Sequence, residues 1–83
     1  MIEANCKLEE GKRLVGLKQV TKAIINDKVK TVYIATDCDK FIENKIQSVI
    51  KEGVSVKKQY SQTQLGKACN IDVAAAVVGI LAE

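Results

Sequence analysis

Short apolar runs alternate with segments of helical periodicity along the chain, and this alternation constrains the fold more than any other feature. Residues 12–15 are too few for a helix, residues 31–35 are β-branched and aromatic, and residues 54–57 alternate between apolar and polar side chains. These three segments predict strands. Residues 73–81 are apolar almost throughout, which fits a central strand or a buried helix equally well. The alternation along the chain favours the strand.

The segments around these strands carry apolar side chains at steps of three and four residues, which predicts helices. The first helix covers residues 1–10 and Gly11 stops it. The third begins at Phe41, and Gly53 is expected to end it as a left-handed cap. Ser61 and Gln64 predict a capping box at the start of the last helix. The apolar positions of the second, third and fourth helices are Leu17, Val20, Ala23 and Ile24; Ile42, Ile46, Val49 and Ile50; and Leu65, Ala68 and Cys69.

This order of elements, from a first helix to a last strand, predicts an α/β fold. We expect a three-layer α/β/α sandwich, in which a four-stranded mixed sheet carries helices on both faces. A chain of 83 residues has room for one core, so residues 1–83 are expected to form a single domain. The amino terminus lacks an apolar signal segment, and the longest apolar run is far shorter than a membrane span. We therefore expect a cytoplasmic monomer with no membrane partner.

The side chains present exclude much of the chemistry used by enzymes and metal sites. The chain contains no histidine, and its three cysteines, Cys6, Cys38 and Cys69, are odd in number and widely spaced. Neither a histidine base, a zinc ribbon nor a disulfide framework is indicated. Asp37 and Asp39 could coordinate a hard cation, but capping of the helix from Phe41 explains them with fewer assumptions. We expect a non-enzymatic protein without a metal or cofactor.

Positive charge is concentrated in one part of the sequence. The net charge of the chain is +3, whereas residues 12–30 hold six basic side chains and one acidic side chain, a net charge of +5. Gly16 lies in this segment, between a strand and a helix, where a glycine lets the backbone approach a ligand closely. Lys18, Gln19 and Lys22 can project from one side of that helix. The pattern fits a polyanion-binding surface, and it also fits the solvated face of an amphipathic helix.

Three segments, in this order, resemble the motifs of one protein family. Gly16-Leu17-Lys18-Gln19-Val20-Thr21-Lys22 resembles the G-x-[N/K]-[E/Q]-x-x-K signature of kink-turn RNA-binding proteins, the ribosomal protein L7Ae/L30e family. Residues 32–37 are similar to the V-x-x-A-x-D strand end of that family, and residues 65–73 to its L-G-x-A-x-G-[I/V] segment. Together the motifs span most of the chain. The chain length and the Lys-Gln pair look most like the small bacterial ribosomal-protein-like members.

The resemblance implies a protein that recognises a kink-turn, a sharply bent RNA helix built on tandem sheared G·A pairs beside a bulge. The RNA would be ribosomal RNA, a riboswitch or another non-coding RNA. Guanine edges become accessible in RNA where the regular groove is distorted, and lysine and glutamine can bond to them. The first contact would come from the turn and helix that contain Gly16, Leu17, Lys18, Gln19 and Lys22.

A second contact is implied by the same resemblance. Ile71, Asp72 and Val73 precede the last strand, and their family counterparts pack against unpaired bulge nucleotides. Ile71 and Val73 are equally consistent with the start of a core strand. Asp39 would lie beside the RNA-binding loops.

Three departures from the family pattern affect what is carried over. Lys18 and Gln19 stand where archaeal and eukaryotic members usually have asparagine and glutamate, Lys40 replaces a proline, and Asn70 replaces a glycine. Because Lys18 is positively charged, we expect electrostatic attraction to supply a larger share of the RNA affinity. The alternative function is a protein-interaction adaptor on the same fold, which predicts an exposed apolar patch and negligible RNA affinity.

Overall fold

A four-stranded sheet forms the middle layer of the protein. The computed structural model describes residues 11–69 and 74–82. Its strands are β1 (Arg13–Val15), β2 (Val29–Ile34), β3 (Ser55–Lys57) and β4 (Val77–Leu81), in the spatial order β1-β4-β2-β3. β4 is antiparallel to both of its neighbours, and β2 is parallel to β3. The predicted mixed sheet is therefore confirmed.

Helices cover both faces of this sheet. They are α1 (Leu17–Ile25), α2 (Lys40–Val49) and α3 (Gln62–Ala68). Successive residues of β2 point to opposite faces, as expected for a strand. Val32 and Ile34 pack with α1 and α2, whereas Tyr33 packs in a second cluster with Leu65 of α3. This arrangement confirms the three-layer α/β/α sandwich. The helix predicted over residues 1–10 lies outside the described residues.

α1 packs directly against β4, and the absence of a side chain at Gly79 makes room for it. A Cβ atom on Gly79 of β4 would lie 3.2 Å from Cγ1 and 3.3 Å from Cγ2 of Val20. Val20 is fully buried at the centre of the apolar face of α1. The position of α1, and of the polar face that it presents, therefore depends on the missing side chain at residue 79.

Two predicted boundaries were wrong. α2 ends at Val49, and Ile50 already has extended backbone angles (φ −63°, ψ 141°), so Gly53 does not cap it. Gly53 has a φ of +92° in the turn that leads to β3, where Val54 N–H donates to the Lys51 carbonyl at 3.2 Å. β4 begins at Val77 rather than at residue 73. No helix among the described residues has the length and apolar character needed to cross a bilayer.

The capping box at the start of α3 was predicted correctly. The Ser61 hydroxyl accepts a hydrogen bond from Gln64 N–H at 3.2 Å. The Gln64 side chain in turn accepts one from Ser61 N–H at 2.9 Å. The pair satisfies two amide groups that the first turn of a helix otherwise leaves unpaired.

Candidate functional site

The three described helices begin at one end of the sheet. β1 and β2 are both antiparallel to β4, and β3 is parallel to β2, so these three strands point the same way. Each of them is followed by a helix. α1, α2 and α3 consequently start together, at the N-cap residues Gly16, Asp39 and Ser61. We call this the helix-start end of the sheet, and we call the opposite end the far end.

Hydrogen bonds between loops hold the helix-start end together. Gly16 N–H donates to the Val77 carbonyl at 3.1 Å, and Ala35 N–H donates to the Ala76 carbonyl at 2.8 Å. The loop after β2 is tied to α3 by Asp37. Its carboxylate accepts from Gln62 N–H at 2.9 Å, and its carbonyl accepts from the Gln62 side-chain amide at 3.1 Å. The start of each helix is thereby fixed relative to the sheet.

Gly16 forms the turn into α1 in a conformation that only glycine adopts readily. Its φ of 111° and ψ of 145° lie in a region that a Cβ atom makes unfavourable. Its carbonyl accepts the first helical hydrogen bond, from Val20 N–H at 3.0 Å. Gly16 has no side chain with which to cap the helix, and the first turn of α1 contains no acidic residue. The amino end of α1 therefore offers amide donors and a favourable dipole to an anion.

Lys18, Gln19 and Lys22 lie together on the outer side of α1. All three are exposed, and they line one open depression in the surface. Within residues 11–69 and 74–82, no hydrogen bond or ion pair holds any of their side chains. Leu17 turns the other way and packs against the core. The Leu17 side chain therefore serves packing, and the group that Leu17 can offer to a ligand is its backbone N–H.

The basic segment of the sequence divides between the two ends of the sheet. Lys18 lies in the first turn of α1, at the helix-start end, and Lys22 lies in its last turn. Lys12 and Lys28 flank the end of β4 at the far end. The Leu81 N–H donates to the Lys12 carbonyl at 2.9 Å, and the Ala82 N–H donates to the Lys28 carbonyl at 2.7 Å. The basic side chains of residues 12–30 therefore do not all lie at one end of the sheet, and a single polyanion-binding surface made by the whole segment stays a prediction. A strand can place residues that are close in sequence at opposite ends of the sheet, as β1 does for Lys12 and Lys18.

Asp37 and Asp39 have different surroundings in the loop after β2. The Asp37 carboxylate is engaged with Gln62 N–H, and Asp39 occupies the N-cap position of α2 without a side-chain cap hydrogen bond. No group of three or more potential metal ligands occurs among the described residues. Cys38, between the aspartates, is half-buried. Burial raises the pKa of its thiol, and the carboxylate of Glu43 raises the same pKa further.

The remaining predicted site residues, Ile71, Asp72 and Val73, lie outside the described residues. One exposed residue at the helix-start end was missed. Phe41, in the first turn of α2, is 70% exposed. The sequence contained a signal for this position, because Phe41 lies one residue before the apolar stripe formed by Ile42, Ile46 and Val49.

The fold and the site define a class of small α/β/α protein that presents a glycine turn and a polar helix face at one end of its sheet. Residues 3–83 match the Ribosomal protein L7Ae/L30e/S12e/Gadd45 family, and the chain belongs to that family.

The relatives and solved structures that resemble the chain include RNA-binding proteins. An RNA-binding protein from Geobacillus sp. (strain WCH70) is 43% identical over 75 residues, which cover 89% of this chain and 92% of that protein. RNA-binding protein YbxF from Geobacillus stearothermophilus is 40% identical over the same shares of the two chains. The 15.5kD RNA binding protein of Giardia lamblia superposes with a TM-score of 0.73 at 27% identity, over 86% of this chain and 61% of that chain.

Proposed function

We propose that this protein binds structured RNA through the helix-start end and that its target is a kink-turn. The observation that carries the proposal is the set of three exposed polar side chains, Lys18, Gln19 and Lys22, which have no partner among the described residues and lie on a helix that begins at a glycine. Membership of the family and the RNA-binding proteins among its relatives support RNA as the ligand. The fixed loops around the site support a preformed surface rather than one that orders on binding.

Each proposed contact follows from the chemistry of the groups available. Lys18 and Lys22 are donors that can reach guanine O6 and N7 or phosphate oxygens, and the Gln19 amide can both donate and accept. The amides at the start of α1 can donate to a phosphate. Such a surface reads shape and base edges together where a bend opens the RNA groove. Because it fits the bent form better than the open form, binding shifts the RNA population toward the kink.

The proposal assigns no catalytic step to the protein. The chain has no histidine, and its Cys38 thiol is disfavoured as a thiolate because burial and Glu43 raise its pKa. We also propose that the protein acts in the cytoplasm. Ribosomal RNA, a riboswitch and other non-coding RNA all remain targets consistent with this surface.

A protein-interaction adaptor is less well supported by the described residues. Among these described residues, the large apolar side chains that are exposed are Ile25, Phe41 and Val56. Ile25 ends α1 and Phe41 lies in the first turn of α2, so they lie toward opposite ends of the sheet, and Val56 is on β3. Three separate residues do not form the contiguous patch that marks a protein interface.

A pair of lysine variants tests the proposed surface. We expect Lys22→Ala to weaken binding to a kink-turn RNA by about 1 to 3 kcal/mol, because it removes a donor to a base edge or adjacent phosphate. Lys28→Ala removes the same charge at the far end and should change affinity by less than about twofold. Lys28 is a better control than Lys51, which is bonded at 3.0 Å to Asp27 and at 2.9 Å to the Ile25 carbonyl.

Binding is measured by gel shift across a range of salt concentrations. The Lys22 variant should also lower the slope of log affinity against log salt, if that side chain replaces a counterion on the RNA. Equal losses for the two variants would show diffuse electrostatic attraction and would contradict the proposed site.

A further inference from the structure

Phe41 is the one phenylalanine of the chain, and its side chain is largely in solvent. It is 70% exposed, although Ile42 beside it packs against the core. Burying a phenylalanine stabilises a protein, and this side chain leaves most of that stabilisation unused. Its place in the first turn of α2 puts it at the helix-start end, on a helix that packs against α1.

The sides of α2 show which way Phe41 points. Glu43 is held toward β3, because its carboxylate accepts from the Lys58 ammonium at 3.1 Å and Lys58 directly follows that strand. Phe41 precedes Glu43 by two residues and so lies about 200° around the helix axis from it. α1 packs over β1, β4 and β2 and also contacts α2, so it lies on the side of α2 away from β3. Phe41 therefore stands on the α1 side of α2, level with the first turn of α1.

The charges near this ring favour an anionic partner. Lys40 precedes Phe41, Lys45 lies one turn along the same flank, and Lys18 is on the first turn of α1. All three lysines are exposed, and none is ion-paired within the described parts of the chain. The acidic residues close in sequence are Asp37, Asp39 and Glu43. The Asp37 carboxylate is bonded to Gln62 N–H and that of Glu43 to Lys58, on the other flank of α2. An apolar ring set among unpaired ammonium groups suits a ligand with a flat apolar face and a negatively charged backbone.

We infer that Phe41 is a stacking platform for an unpaired base of the bound RNA. This inference rests on the proposed function, and it extends that surface from α1 onto the start of α2. A nucleobase has the flat face that an aromatic ring contacts, and its phosphates can be neutralised by Lys18, Lys40 and Lys45. Stacking accepts any base, so Phe41 adds affinity for a splayed nucleotide without reading its sequence.

Three substitutions separate stacking from general apolar contact. Phe41→Ala removes the ring and should weaken RNA binding roughly 5- to 100-fold. Phe41→Tyr keeps an aromatic face and should bind within about twofold of the wild type. Phe41→Leu keeps apolar area without the aromatic face and should resemble Phe41→Ala. Because the side chain is exposed, thermal unfolding of all three variants should match that of the wild type.

The decisive control is made in the RNA. Kink-turn RNAs are prepared with an abasic site at each unpaired nucleotide in turn, and every RNA is titrated with the wild type and with Phe41→Ala. At the nucleotide that stacks on Phe41, the abasic RNA should bind both proteins equally. A loss from Phe41→Ala that persists with every abasic RNA would overturn the inference.

The outcomes also separate this inference from the proposed function. If the wild type binds the kink-turn and Phe41→Ala binds it equally well, the stacking role is wrong and the proposed function stands. If the wild type binds no kink-turn, the proposed function fails, and the inference fails with it. If Phe41→Ala leaves RNA binding unchanged but abolishes self-association in sedimentation, the ring contacts a second copy of the chain and the inference is overturned.

Discussion

The turn at Gly16 can be tested by adding a single methyl group. A Cβ atom at this position would meet no other atom within 4 Å, so Gly16→Ala creates no clash inside the protein. Its whole cost is the strain of holding alanine at φ 111° and ψ 145°. Strain of this kind amounts to about 1 to 3 kcal/mol. We expect the free energy of unfolding in urea to fall by that amount, with no change in the m-value.

Gly53 provides a matched control. Its φ is +92°, and a Cβ there would also meet nothing within 4 Å. It precedes β3 and therefore lies toward the far end of the sheet. We expect Gly53→Ala to lose stability for the same reason, without a change in RNA affinity.

The two variants should differ in binding at a temperature where both are folded. Gly16→Ala places a methyl group on the turn where the RNA backbone approaches, or shifts the start of α1 to relieve strain. Either effect should reduce affinity for a kink-turn by at least about tenfold, or 1.4 kcal/mol. Equal affinities for the two glycine variants would show that Gly16 serves the fold alone. Unchanged stability of Gly16→Ala would refute the conformational argument itself.

Three further predictions concern other parts of the protein. Gly79→Ala should destabilise by about 1 to 3 kcal/mol through overpacking against Val20, and Val20→Ala should remove most of that penalty in a double-mutant cycle followed by urea unfolding. Ser61→Ala should lower the free energy of unfolding by about 1 kcal/mol, because α3 loses its cap, and Ser61→Asp should restore most of the loss. Cys38 should react with iodoacetamide at pH 8 more slowly than in the unfolded chain, because burial raises its thiol pKa and the thiolate is the reactive form. Glu43→Gln should speed this reaction, and a rate unaffected by unfolding or by the glutamine would contradict the assignment.

Features set by a few adjacent residues were predictable from the sequence. The capping box needs only Ser61 and Gln64 at the right spacing, and the structure contains both of its hydrogen bonds. The strand predicted over residues 31–35 was recognisable from its β-branched and aromatic side chains. β2 contains all of these residues except Ala35. Both the capping box and the strand depend on residues that are adjacent in sequence, so few alternative local structures competed with them.

Features set by the meeting of distant segments were not predictable in the same way. The cluster of charge at residues 12–30 was real in the sequence, but the direction of β1 and β2 sends Lys12 and Lys28 to the far end. The end of α2 was predicted at Gly53, whereas the helix ends at Val49 and Gly53 lies in the turn that leads to β3. The exposure of Phe41 depends on which flank of α2 meets β3 and which meets α1. Ile71, Asp72 and Val73 remain predictions.

Recognition of the bent RNA shape can be tested in one titration that reads bending and binding together. A kink-turn RNA carries a donor and an acceptor fluorophore on its two arms, in buffer without divalent cations, so that bending is read as energy transfer. We expect the protein to convert the open RNA to the bent form at low protein concentration. We also expect binding at least about tenfold weaker when the sheared G·A pairs are replaced by Watson–Crick pairs. Equal affinity for the two RNAs, or binding without bending, would contradict recognition of the kink-turn shape.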